Sequence, residues 1–284
     1  TPIQYLIDLR AAQLAGVPTG FVNTSFEVTD PTVRRIAVHV LDRAQAVIFR
    51  DRASLANYRV AGGQGPATVV ADAAMLHSHL HTAAAPTGRV ALAFNGPATE
   101  AAGLIPAWID LAQRLRARGL DPIFVSNEWF NDAPLWRDHL TAHGLSAAGE
   151  GLDVDDYVGF LNSFDCVVSG RLHTAVLSVI AGAPAVPVET GTFKITGLFD
   201  QIGFDRPLTV TSDWSAAAAD HVSDIVRRKA DVVISQQRLL ARARDNVTDA
   251  LTARLHDAFP TIDSPRRAIW PHPKNLPKVM ASSA

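Results

Sequence analysis

A chain of 284 residues with 48% hydrophobic and 19% charged residues carries enough apolar material for one or two compact domains and is not a disordered polymer. Its formal net charge of −2 excludes a broad basic surface for nucleic acid or acidic lipid. Its single cysteine, Cys166, excludes an internal disulfide and a cysteine-based metal site. No apolar run approaches the roughly 18 residues that a membrane-spanning helix needs, and a reducing, cytoplasmic setting fits the cysteine usage.

Thr1 is followed at once by helix-like sequence, with Ile3, Leu6, Ile7, Leu9 and Leu14 at helical spacing and Gly16 at a C-cap position. This start has no signal-peptide pattern, and a preceding N-terminal segment is expected. The stretch 17–23 reads as a strand, 31–44 as a helix opened by Pro31, 46–50 as a strand, 54–59 as a helix and 67–72 as a strand. Residues 79–88 lack periodicity and read as a linker. A second alternating series follows: strand 89–95, helix 101–118, strand 121–126, helix 133–143, helix 154–163, strand 164–170, helix 171–182 and strand 183–189. Two helices, 214–228 and about 230–258, precede a proline-rich remainder.

Alternating strands and helices predict parallel sheets. The expected fold is α/β, with two Rossmann-like, doubly wound parallel-sheet domains facing a cleft, the N-terminal one incomplete. The expected division is residues 1–85 for the acceptor side, 86–260 for the anion side and 261–284 for the tail. In such sheets ligands bind beyond the C-terminal strand ends, so polar residues just after strands are the candidates.

Ser169-Gly170-Arg171-Leu172-His173 lies where a buried strand becomes a helix. Helix N-termini attract anions, and a cation there opposes the dipole. Arg171 thus reads either as a fork for phosphate or carboxylate, or as an exposed surface arginine. His173 reads either as a proton-transfer group or as a histidine satisfied at the edge of the core. Lys194 follows the strand that ends at Glu189, after Thr192 in a glycine-containing loop; Asn95-Gly96 and Ser126-Asn127 also follow strands, as do Asn23, Ser25 and Arg50 in the first half. Turns, caps and a loop ion pair are the competing readings of these groups. His77, His79 and His81 read as linker surface, and no metal site is expected.

The block S-G-R-L-H-T-A-V-L-S-V-I-A-G-A-P-A-V-P-V-E, followed by F-K-I-T-G-L-F-D-Q-I-G, resembles the signature of the polysaccharide pyruvyl transferase family. The matching positions are Arg171, Leu172, His173, Gly182, Pro184, Lys194, Gly197 and Gly203. Upstream, Arg50-Asp51-x-x-Ser54 and Asp72-x-Ala74 resemble two further family segments, and the likeness spans about residues 3–205. Where many members carry Tyr-Asp before the lysine, this chain has Glu189-Thr190-Gly191-Thr192-Phe193.

The resemblance implies a fold similar to the GT-B glycosyltransferases. It also implies transfer of a pyruvyl group from phosphoenolpyruvate, a co-substrate, to two hydroxyls of a sugar or lipid-linked oligosaccharide, with no cofactor. On that basis Ser169, Gly170, Arg171, Lys194, Asn95 and Gly96 are expected at the donor, and His173 with Arg171 in the chemistry. Asn23, Ser25, Arg50, Ser126, Asn127, Glu189 and Thr192 are expected at the acceptor or cleft. The alternatives are a GT-B glycosyltransferase using a nucleotide sugar, with Glu189 as a ribose contact, and a silent glycan-binding protein on the same fold. Oligomeric state is left open.

Overall fold

A computed structural model describes residues 2–260 other than 78, 79, 102, 190, 206 and 212; His79 and the tail 261–284 therefore lie outside the described residues. The first half runs α1 (Pro2–Leu14), β1 (Gly20–Thr24), α2 (Pro31–Leu41), β2 (Ala46–Phe49), α3 (Arg52–Val60) and β3 (Ala67–Val69), and ends in a 3₁₀ turn at Ala73–Leu76. Its three strands pair in parallel in the order β1-β2-β3. Local chemistry starts the helices: Asp30 accepts from the N–H groups of Thr32 and Val33 ahead of Pro31, and Asp51 accepts from Ser54. Phe26, Leu41, Phe49 and Tyr58 close this layer's core.

The second half runs β4 (Arg89–Ala93), α4 (Gly96–Ala101), α5 (Ile105–Ala117), β5 (Asp121–Val125), α6 (Trp129–Ala142), β6 (Ser146–Ala148), α7 (Val154–Asn162), β7 (Cys166–Ser169), α8 (Leu172–Ile180), β8 (Ala185–Glu189), α9 (Lys194–Ile202), β9 (Leu208–Thr209), α10 (Trp214–Arg227) and α11 (Lys229–Ala258). Six parallel strands pair in the order β6-β5-β4-β7-β8-β9. Numbered within this half, that is 3-2-1-4-5-6, with the switch point between β4 and β7.

Alternation within the central strands builds both faces. Val90 and Leu92 of β4 and Val168 of β7 join Trp108, Trp136 and Trp214 on one side. Ala91, Ala93 and Val167 join Leu161, Val176, Leu198 and Leu240 on the other. Helices therefore cover both faces, and apart from Arg89 and Ser169 at their ends the central strands β4 and β7 are apolar throughout. The two parallel, helix-covered sheets are the α/β architecture expected from the alternation of elements.

Several boundaries differ from the expectation for physical reasons. The helix expected over 101–118 is two helices, because Gly103 takes the left-handed conformation, with φ +66°, between α4 and α5. The segment around Lys194, read as a loop, starts α9. Strands β6 and β9, of three and two residues, were not anticipated; neither is long enough to show alternation. Helix α11 is amphipathic and 30 residues long. It packs on α8, α9 and α10 and then reaches the 3₁₀ turn and β2 of the first sheet.

Candidate active site

The C-terminal end of β1 is irregular. Register shifts between Val22 and Thr24, and Asn23 sits at φ +57°, a conformation that asparagine tolerates better than most residues. The Asn23 side chain then brackets Asp72: Nδ2 donates to the Ala71 carbonyl at 3.0 Å and Oδ1 accepts the Ala73 N–H at 2.7 Å. Asp72, 3% exposed, accepts the Ala74 N–H on Oδ1 at 2.8 Å. Its Oδ2 lies 3.0 Å from Arg50 Nη1 and 3.6 Å from His173 Nε2. Arg50 Nη1 is also 3.4 Å from His173 Nε2, and Arg50 Nε donates to Ser25 Oγ at 2.8 Å. Ser25 in turn donates to Asp51, the N-cap of α3, at 2.9 Å.

Four separate stretches of sequence thus meet: the end of β1, the end of β2, the segment after β3, and the start of α8. Burial alone would raise the Asp72 carboxyl above its ordinary value. The hydrogen bond and charge of His173, the Ala74 N–H and Arg50 outweigh burial and hold it lower. The His173 side chain remains 49% exposed, so the imidazole is oriented from one side and open on the other.

Helix α8 opens at the β4/β7 switch point. No side chain caps it, which leaves the first-turn N–H groups without acceptors inside the helix. The residues around that start have other occupations. Ser169 Oγ donates to the Arg171 carbonyl at 2.7 Å and accepts its N–H at 3.1 Å, and the Gly170 N–H donates to Ala93 at 2.8 Å. Arg171, 8% exposed, does not present a free fork. Its guanidinium bonds Glu128 at 2.7 Å and the buried carboxylate of Asp132.

Asp132, 1% exposed, also accepts from Ser126 Oγ and, at 3.0 Å, from the Gly96 N–H. A Cβ on Gly96 would stand 2.7 Å from Asp132 Oδ1, so glycine is what admits this carboxylate. Asn95 accepts from Ala98 at 3.4 Å, in the first turn of α4. Of the residues expected at a donor, Ser169 and Arg171 bond each other, Gly170 bonds Ala93, Arg171 and Gly96 bond Asp132, and the half-buried Asn95 bonds Ala98. Asp132 lies far from Arg171 in sequence, and no local pattern marks it; Glu128 follows the strand β5, the position that marks a candidate.

Lys194, the first residue of α9, is 39% exposed and pairs with Glu27 of the first half at 3.2 Å. Glu189 accepts from the backbone and hydroxyl of Thr196 and so braces the start of α9. Thr192 is half-buried in the turn before it. A Cβ on Gly197 would lie 3.2 Å from Asp51 Cβ, which places the Lys194-x-x-Gly197 helix tightly against the Arg50-Asp51 segment. Ser126 and Asn127 border the same cavity as Asp72 and His173, and Thr174 Oγ1 donates to Asn127 at 3.0 Å. Among the described residues no cluster of three His, Cys, Asp or Glu is placed to hold a metal ion, and no helix is long and apolar enough to cross a membrane.

The segments that converge here are the ones whose order resembles the family signature, and the polysaccharide pyruvyl transferase model matches residues 1–192. The chain belongs to the polysaccharide pyruvyl transferase family. The family match covers Arg50, Asp72 and His173, the three side chains that meet across the two sheets. No curated protein sequence matches the chain.

Solved structures show the fold at low identity. TarM superposes with a TM-score of 0.56 at 12% identity, over 86% of this chain and 50% of that one. A mutant O-GlcNAc transferase of Thermobaculum terrenum gives 0.53 at 14%, over 91% and 55%. A UDP-glucosyltransferase of Polygonum tinctorium gives 0.52 at 13%, over 89% and 73%. The family member therefore has a GT-B-like fold and spans about half the length of the first two of these structures.

Proposed function

We propose that the protein transfers the pyruvyl group of phosphoenolpyruvate to two hydroxyls of a glycan, forming a cyclic ketal. The observation that carries this reading is the meeting of Arg50, Asp72 and His173 across the two sheets, within the region matched by the family. The donor is a small, dense anion. The uncapped start of α8 beside the exposed His173, with Arg50 and Lys194, would supply N–H groups and positive charge for it. Arg171, already paired with two carboxylates, is assigned to the scaffold instead.

In this scheme His173 gives a proton to C3 of the donor while one acceptor oxygen bonds to C2 and passes its own proton back to the imidazole. The second hydroxyl oxygen then bonds to C2, the C2–O bond to phosphate breaks, and phosphate leaves with the second proton. Two C–O bonds form, one breaks, and no oxidant or metal enters the balance. Such a donor and the lack of a disulfide fit a cytoplasmic protein.

The test is phosphate release from phosphoenolpyruvate in the presence of a glycan acceptor, together with the shift in unfolding temperature caused by phosphoenolpyruvate or by UDP. Stabilisation and phosphate release with phosphoenolpyruvate are expected. Stabilisation by UDP alone would move the assignment to a glycosyltransferase, the reading favoured by the GT-B-like architecture.

A further inference from the structure

A cavity of about 420 Å³ opens beside His173, at the C-terminal ends of β5 and β6. Its size falls within the range of small-molecule sites. Trp129 and Tyr157 give it aromatic surface, and Asn127 and His77 give it hydrogen-bonding groups. Gly149 and Gly151, at φ +95° and +73°, form a stretch of wall with no side chain. Leu152 and Val154, 39% and 55% exposed, form an apolar edge.

The charges around this space are unlike those of the donor side. None of the residues lining the cavity is a lysine or arginine, and two, Asp72 and Asp153, are carboxylates. Asp153 also caps α7, and Asp155 lies 3.4 Å from His77. A doubly charged phosphate would find no lysine or arginine in this lining. Arg50, Ser25 and Lys194 instead border a separate hollow beyond β1. The two spaces come together where Arg50 lies 3.4 Å from His173.

We propose that the cavity lined by Trp129, Asn127 and Leu152 is the acceptor subsite and takes an uncharged sugar ring. An aromatic wall beside amide and imidazole groups suits a polyol with one apolar face. This assignment rests on the pyruvyl-transfer reading only for the word acceptor. It places the sugar against the second sheet, where the sequence suggested the first half as the acceptor side. A ring held there presents its hydroxyls to His173 and Asp72, while the anion stays beyond Arg50.

Saturation-transfer NMR tests the assignment with the methyl pyranosides of glucose, galactose, mannose and N-acetylglucosamine, and separately with phosphoenolpyruvate and UDP. The samples are wild type, Leu152→Trp, which fills the mouth, and Asn127→Ala, which removes one polar contact and guards against misfolding of the first variant. At least one glycoside is expected to bind wild type and to weaken about tenfold or more in a folded variant, an effect of about 1.4 kcal/mol. Phosphoenolpyruvate binding is expected to be unchanged. The proposal is overturned if no glycoside of the panel binds, if both variants bind glycosides as wild type does, or if Leu152→Trp loses phosphoenolpyruvate or UDP instead. Variant-sensitive glycoside binding without phosphate release from phosphoenolpyruvate would sink pyruvyl transfer and leave the sugar site standing.

Discussion

At the scale of single residues, the two arginines of the site differ in their partners. Arg171 sits where a phosphate fork is expected and is neutralised by Glu128 and Asp132. Arg50 reads as half of a loop ion pair and ends 3.4 Å from the exposed imidazole of His173. Arg171→Ala is expected to strand the buried Asp132 and cost about 3–5 kcal/mol of stability in urea titration, with phosphoenolpyruvate affinity of the folded fraction nearly unchanged. Arg50→Ala is expected to do the reverse and weaken donor binding by about 2–5 kcal/mol, measured by calorimetry. Equal losses of donor affinity in both variants would contradict this division.

His173→Gln keeps a hydrogen-bonding group and removes the imidazole that would carry the proton. The donor-saturated rate is expected to fall about 10²–10⁴-fold, with donor affinity held within a few-fold. Asp72 connects this site to folding. Its carboxyl lies below the ordinary 3.8, so it contributes stability above that value and loses it as pH falls through the lower, folded value. Acid unfolding followed by circular dichroism should therefore lose part of its steepness below about pH 4 in Asp72→Asn, and an unchanged acid limb would count against the coupling.

His173 and Lys194 were legible as candidates because they follow strands, and Asp72 only through its likeness to a family segment. Asp132 was not legible. It lies within α6, 39 positions before its partner Arg171, and only the sheet order brings the two together.

At the scale of elements, glycines decide how closely helices and loops approach. Gly182, at φ +77°, lies under the linker, and a Cβ there would stand 2.7 Å from the carbonyl oxygens of His81 and Thr82. Gly182→Ala is expected to destabilise the fold by about 1–2 kcal/mol from the backbone conformation alone, with more from the displaced linker. A melting temperature equal to wild type would refute the close approach. The alternation of strands and helices was readable because the long elements carry a clear period. Strands β6 and β9 escaped because they are too short to have one, and the start of α9 escaped because no Ser, Thr, Asp or Asn occupies its cap position.

At the scale of the molecule, the second half is pinned at its base by a buried ion pair. Lys229, at the start of α11, bonds Asp165 at 2.9 Å. The other oxygen of Asp165 accepts the N–H groups of Thr87 and Gly88, where the linker enters β4. Next to it in sequence, Cys166 is fully buried in the middle of the larger sheet, and burial pushes its thiol well above the usual range. Cys166 should therefore resist iodoacetamide in the native protein and react only through global opening. Its labelling rate should track unfolding free energy across a urea series, and fast labelling in buffer would show that the larger sheet is open.

The long final helix has a geometric consequence. The chain passes between the two sheets once, through the linker after Leu76, and α11 then returns from the second sheet to lie against β2, with Gly20 of β1 facing the Phe259 ring. Two bodies joined by a single tether can swing in any direction. Two bodies joined at two separated points turn mainly about the line through those points. Arg50, after β2, and His173, in α8, lie one on each side of the junction between the sheets, 3.4 Å apart. A turn about the line through the two connections, rather than a slide or a twist, is the displacement that they oppose least, and the 3.4 Å between Arg50 and His173 is a distance that it would change.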